Sequence, residues 1–197
     1  MICQEIPSAL IDAASPPPVL VVGAGPAGIV QALELRRHGI DVVMLAGGAD
    51  GFDAHFQSLA DAEIADPSRH APMGIAVRRA LGGTALLWGG RCVPFDDIDF
   101  AARPHVPGGG WPLRHDDIRP WYAVGMRYLN AGAAVFTAPL PAVPAMADCR
   151  LDELERWSEQ RDLRRRFAAE LARDPGLTIL LGAVATGIDI DPVTGTA

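Results

Sequence analysis

The sequence predicts an α/β protein that begins with a strand, a helix and a second, parallel strand. Three observations carry that prediction. A continuous apolar run, Val19-Leu20-Val21-Val22, leads straight into a turn with glycines at 23, 25 and 28. A helical pattern follows from Ala27 to His38, with Ile29, Val30, Leu33 and Leu35 available to face a sheet and Gly39 as its stop. A second apolar run, Asp41 to Leu45, completes βαβ within roughly 30 residues. Unbroken apolar runs of this kind are expected of strands buried on both faces of a parallel sheet.

The turn between strand and helix carries the chemistry. In Gly23-Ala24-Gly25-Pro26-Ala27-Gly28 the first glycine allows a tight turn and the second lets a pyrophosphate approach the backbone. The third, Gly28, lets helix and strand pack closely. Unsatisfied N–H groups at the helix start then face an anion, with Pro26 and Ala27 beside it. A glycine-rich turn alone is weak, but here it has its strand before it and its helix after it. The reading is a Rossmann-like dinucleotide site, against the alternative of a glycine connection in an unrelated α/β fold.

Further along, residues 46 to 75 read as irregular, and Arg91 to Phe95 as a short strand. Asp116 or Asp117 is placed to cap a helix carrying Ile118, Trp121, Tyr122, Met126 and Leu129. Residues 133–149 are Ala- and Pro-rich and read as a connector. Arg161 to Arg173 is an amphipathic helix, with Leu163, Phe167 and Leu171 on one face. Leu177–Leu181 and Val184–Ile190 read as strands, and Asp191-Pro192-Val193-Thr194-Gly195 as a turn that feeds a return strand. Residues 1–18 are expected to be a flexible tail. Residues 19–197 then form the amino-terminal portion of a nucleotide-binding domain, with inserted loops and helices at 96–150. The unfinished hairpin leads us to expect a fragment, completed by a second chain or a carboxyl-terminal half.

Composition narrows the class. The chain has 197 residues, 49% of them hydrophobic and 21% charged, enough for a packed core. A net charge of −7 argues against a nucleic-acid partner. Cys3, Cys92 and Cys149 share no CxxC spacing and read as reduced thiols. No signal peptide and no membrane-length apolar run is visible, so a soluble, cytoplasmic protein without membrane contact is expected. The five histidines are scattered without zinc spacing, and Asp96-Asp97-x-Asp99 lacks a phosphate motif, so no metal is expected.

A second glycine cluster follows at 79–90, Arg-Ala-Leu-Gly-Gly-Thr-Ala-Leu-Leu-Trp-Gly-Gly. Paired glycines let a flat ring or a phosphate lie against the main chain. Together with Asp99-Phe100, Gly110-Trp111-Pro112, Asp117-Ile118 and Pro120-Trp121-Tyr122, it resembles the flavin-contacting signature of the glucose–methanol–choline (GMC) oxidoreductases. The likeness is to their sugar and gluconate dehydrogenase and pyranose oxidase branch. That resemblance implies an FAD-binding domain and oxidation of a small-molecule alcohol or sugar, with hydride passed to the flavin. It implies that Gly23, Gly25 and Gly28 serve the pyrophosphate. Arg79, Gly82, Gly83 and Thr84 would lie along pyrophosphate and flavin, Trp88 and Gly89 near the isoalloxazine, and Val184 at the adenine. No His or Cys lies between Thr84 and Gly90, so the FAD is expected to be non-covalent.

Two features depart from that pattern. The acidic residue that binds ribose hydroxyls at the end of the second strand falls on Ala46, followed by Gly47, with Asp50 the nearest carboxylate in sequence. The family's catalytic base would lie beyond Ala197, so no catalytic residue is assigned and this chain alone is expected to be inactive. The alternative function is a truncated or degenerate nucleotide-binding domain or subunit without catalysis of its own.

Overall fold

The architecture is that of a computed structural model, which describes residues 1–5, 7–8, 19–107, 110–138 and 152–195. The chain divides into two units, Met1–Trp88 with Asp162–Ala197, and Gly89–Arg161. The first is α/β, built on a four-stranded parallel sheet, consistent with a Rossmann-like FAD-binding domain.

In the first unit the predicted βαβ is present. Strand β2 (Val19–Val22) leads into helix α1 (Pro26–Arg37), which leads into strand β3 (Val42–Ala46). Strand β1 is Ile2–Cys3 and strand β6 is Leu177–Leu181. The sheet order is β1-β6-β3-β2, every pair parallel. The first residues therefore contribute a strand from within the stretch read as a tail, with Ile2 opposite Ile179. Most of the remainder of that stretch lies outside the described residues.

The core lies between α1 and the sheet. Ile29, Ala32 and Leu33 of α1 are buried against it, as are Val42, Val43, Met44 and Ala46 of β3 and Leu177, Ile179 and Leu180 of β6. Their removal from water is the main force holding the unit together, at about 25 cal/mol per Å² of apolar surface. Strand β2 differs from expectation. Val21 is buried, but Val19, Leu20 and Val22 are exposed, because β2 is the edge of the sheet and not its middle.

Arg36 ties the lower ends of the elements together. Its Nη1 lies 2.6 Å from Asp41 Oδ1 before β3, and its Nε lies 2.8 Å from Asp174 Oδ1 before β6. Two short helices, α2 (Ala54–Ser58) and α3 (Met73–Ala76), occupy the region read as irregular.

The predicted helix over 161–173 is two helices, α7 (Leu163–Arg166) and α8 (Ala168–Arg173), separated at Phe167 (φ −109°, ψ 25°). The Asp162 carboxylate caps α7 by accepting from the Arg165 N–H. Leu163 and Leu171 are still both buried, so the apolar face survives the break.

Val184–Ile190 is not a strand. Its apolar residues alternate, but Val184, Ile188 and Ile190 are exposed and pair with no strand among the described residues. The turn after it is real. Gly195 N–H donates to Asp191 O at 2.8 Å, and the Val193 N–H on the Asp191 carboxylate holds its pKa below the ordinary value. The unfinished hairpin expected from sequence is therefore a turn without its first strand.

The second unit holds helix α4 (Asp97–Phe100), helix α5 (His115–Ile118), a 3₁₀ turn (Arg119–Trp121) and helix α6 (Tyr122–Leu129). Its strands β4 (Arg91–Cys92) and β5 (Arg156–Trp157) pair antiparallel, so the strand expected over Arg91–Phe95 is shorter than predicted. Asp117 acts from the third position of α5, accepting from the Arg114 N–H at 2.8 Å, rather than from the cap. Phe95, Phe100, Trp111, His115, Tyr122 and Phe136 form a chain of ring contacts with centroids 5.4–6.2 Å apart. Asp96 and Asp99 serve α4, with the Asp96 N–H donating to Asp99 Oδ2 at 2.9 Å. No metal-ligating cluster and no helix long and apolar enough to cross a membrane occurs among the described residues. The connector beyond residue 138, with Cys149, lies outside them.

Candidate functional site

The site forms where β2, β3 and β6 end, at the carboxyl edge of the parallel sheet, the usual place for a ligand in an open α/β fold. Pairing continues past the strands. Gly23 N–H donates to Leu45 O at 2.9 Å, Ala183 N–H to Ala46 O at 3.1 Å, and Gly182 N–H to Gly48 O at 3.0 Å. These bonds fix the three strand exits side by side.

Each glycine of the first turn has a distinct physical task. Gly23 has φ +102°, a left-handed conformation in which a side chain is strained. A Cβ on Gly28 would meet the Gly23 carbonyl oxygen at 1.9 Å and Val21 Cγ1 at 3.3 Å, so α1 seats against the turn only because position 28 has no side chain. Gly25 is the opposite case, with nothing within 4 Å of where its Cβ would be. It opens α1, with Pro26 next, no side-chain cap and no acidic residue in the first turn. The helix start is thus left uncapped and unopposed, with its partial positive charge available to an anion.

The second glycine cluster packs on the first. Gly82 N–H donates to Ala24 O at 2.8 Å, and a Cβ on Gly83 would lie 3.0 Å from Gly25 Cα. Gly82 itself sits at φ +100° and opens a 3₁₀ turn over Gly83–Leu86. The structure therefore brings together Gly23–Gly28 and Gly82–Gly83, two segments far apart in sequence. Thr84 is spent locally, its Oγ1 accepting from the Arg78 N–H at 3.2 Å.

Arg79 stands at the end of β3. Its Nε donates to Gly47 O at 3.1 Å, and a Cβ on Gly47 would be 2.8 Å from its Nη2 and 3.7 Å from Val184 Cγ2. Arg79 and Val184 thus meet at Gly47. Ala46 is buried, so its methyl group faces packing and not a ligand. Trp88 is half-buried at the end of the first unit. Gly89 belongs to the second unit, where its neighbour is Trp157.

Four further residues that the sequence reading assigned no role contribute here. A Cβ on Gly48 would meet the Arg79 carbonyl oxygen at 2.2 Å, so this glycine lets the strand exit and the arginine segment touch. Gln57 is buried, its Nε2 donating to Val77 O at 3.1 Å and its Oε1 accepting from the Arg79 N–H at 3.3 Å. Gly182 and Ala183 supply the bonds from β6. The Gly47-Gly48 pair at a strand end was the visible signal for the first. Asp50, the substitute ribose acid suggested by sequence, lies 3.4 Å from Arg164 Nη1 and is engaged there.

Residues 17–53 match the model of a family described as an FAD binding domain. This span covers β2, the glycine turn, α1 and β3. FAD is the cofactor this βαβ unit is built for. A flavin-containing monooxygenase of Arabidopsis thaliana (FMO GS-OX-like 2) is 34% identical to this chain over 124 residues, 60% of the chain and 24% of the relative. The chain thus spans about a quarter of the length of the curated relative that it matches.

These similarities support reading the βαβ unit as an FAD-binding domain. They also overturn the GMC resemblance. The matching family is a different flavoprotein family and the relative is a monooxygenase, so neither leads to the GMC proteins. The alcohol or sugar substrate, the hydride transfer, and the flavin and adenine roles of Arg79, Gly82, Gly83, Thr84, Trp88, Gly89 and Val184 rested on that resemblance and lose that support with it. Bare glycine main chain beside a βαβ turn answers to the dinucleotide and not to the substrate.

Proposed function

We propose that this chain is the FAD-holding part of a flavin-dependent oxidoreductase, and that the oxidoreductase is of the monooxygenase kind. The observation that carries the reading is the seating of Gly83 on Gly25 beside the uncapped start of α1. It builds a side-chain-free cradle from two segments at the carboxyl edge of a parallel sheet. The similarity to a flavin-containing monooxygenase supports the finer reaction class.

In this reading the N–H groups at the start of α1 bind the pyrophosphate, Gly25 gives it room, and Gly28 keeps the helix close enough to reach it. Gly82 and Gly83 bound the same space, and Val184 borders the adenosine end beside Gly47. Arg79 adds positive charge there. Non-covalently bound FAD would supply two-electron redox chemistry. The chain's own contribution is to bind and orient it.

Equilibrium dialysis against FAD and FMN tests the proposal. A site built on the pyrophosphate and adenosine holds FAD far more tightly than FMN, which lacks both. Equal affinity for the two, or binding of neither, would overturn it.

A further inference from the structure

The adenosine end of the site carries a cation where dinucleotide sites that prefer an unmodified ribose carry a carboxylate. Position 46, the end of β3, is alanine, and its side chain is buried. The nearest carboxylate in sequence, Asp50, is engaged by Arg164. Arg79 is held instead against the next residue, with Nε on Gly47 O at 3.1 Å. Its main chain is pinned from the other side by the buried Gln57. Guanidinium offers five N–H donors, and here one is used. The two terminal NH₂ groups have no hydrogen-bond or carboxylate partner among the described residues.

A half-buried guanidinium without a counter-charge is a site for an anion with several oxygens. Its location selects which one. The pyrophosphate belongs at the start of α1, after β2, whereas Arg79 sits at the exit of β3, where the ribose 2′-hydroxyl is ordinarily read. A carboxylate there repels a 2′-phosphate, and an arginine there accepts it.

We infer that the ribose end of this site accepts 2′-phosphorylated adenosine nucleotides, with Arg79 as the residue that binds the 2′-phosphate. The inference rests on the dinucleotide-site reading above and extends it to a second class of ligand, which competes with FAD for the adenosine position. The absence of a carboxylate removes the usual discrimination, and Gly47 keeps the guanidinium close because a side chain there would displace it.

The test compares adenosine 2′,5′-bisphosphate with adenosine 5′-monophosphate by titration calorimetry, alongside ADP and FAD, in the wild-type chain and in Arg79→Gln. The expected result is at least tenfold tighter binding of the bisphosphate than of the monophosphate, an advantage that shrinks with added salt and disappears in Arg79→Gln. Circular dichroism of the variant confirms that it folds, and Arg79→Lys, which keeps charge without the fork, retains part of the advantage. FAD binding with no preference for the bisphosphate would overturn the inference and leave the FAD reading intact. So would an Arg79→Gln variant that loses affinity for ADP and FAD but keeps the bisphosphate preference, which would assign the arginine to the pyrophosphate. Failure of FAD and of every adenosine nucleotide to bind would overturn both readings.

Discussion

Gly28 and Gly23 are in contact closely enough that a Cβ on Gly28 would stand 1.9 Å from the Gly23 carbonyl oxygen. That contact couples folding to ligand geometry, since the same helix start that must bind the anion is seated by it. Gly28→Ala is expected to push α1 off the sheet, with a loss of about 1–3 kcal/mol or more from overpacking. Gly25→Ala meets nothing within 4 Å and has an ordinary φ of −80°, so its stability should change by no more than about 1 kcal/mol. Its FAD affinity should nevertheless fall at least tenfold, because the methyl occupies the pyrophosphate's approach. Urea unfolding and FAD titration of both variants separate the two effects. A stable Gly28→Ala would show that α1 is seated some other way.

Cys92 is a buried thiol whose Sγ lies 3.4 Å from Gly90 O. Burial pushes its pKa above the ordinary thiol value, with a smaller opposing effect from the Ser158 N–H. A raised folded pKa means the folded state holds the proton more tightly than the unfolded chain. The stabilising contribution is thus complete below the unfolded value of about 8.5 and is lost as pH rises through the folded one. Alkylation by iodoacetamide should be at least tenfold slower in the native protein than in urea at pH 8. Equal rates would show that the β4–β5 region opens freely.

The local elements were legible because their signals are local. The βαβ unit follows from two apolar runs around a glycine turn, and β6 from Leu177–Leu181. What sequence could not show was lateral order. Nothing in Val19–Val22 says that β2 lies at an edge, and its apolar composition pointed the other way. Val184–Ile190 has strand periodicity, but a strand requires a partner and none of the described residues supplies one. The site divides in the same manner. Gly23, Gly25 and Gly28 were readable as a motif, whereas the Arg79–Gly47 bond joins residues 32 apart that no periodicity relates. The resemblance misled for a related reason, since bare glycine main chain records the cofactor's shape and says little about the substrate.

The edge position of β2 has a measurable consequence. Leu20 is 56% and Val22 58% exposed, on a strand with no charged residue to discourage edge pairing. The isolated chain should associate as its concentration rises. Leu20→Lys should reduce that association in light scattering while leaving the far-ultraviolet spectrum unchanged. Undiminished association in the variant would place the sticky surface elsewhere.

Asp50 provides the last discrimination at the ribose end. By sequence it is the nearest carboxylate to the strand-end position that Ala46 leaves without one. In the structure its carboxylate lies 3.4 Å from Arg164 Nη1, and the Arg164 guanidinium also donates to the Asp50 carbonyl oxygen and to Asp162 Oδ2 at 3.1 Å. Breaking this pair costs little, since the Asp50 side chain is mostly exposed and such pairs contribute about 0.2–1 kcal/mol. A carboxylate held this way is directed to α7 and away from the nucleotide. Asp50→Ala should therefore keep FAD affinity within about twofold, whereas a ribose-binding acid contributes on the order of 1.5–3 kcal/mol, or roughly tenfold and more in affinity. A tenfold loss on FAD titration of Asp50→Ala would show that Asp50 leaves Arg164 to bind the ribose, and a carboxylate there would count against 2′-phosphate binding at Arg79.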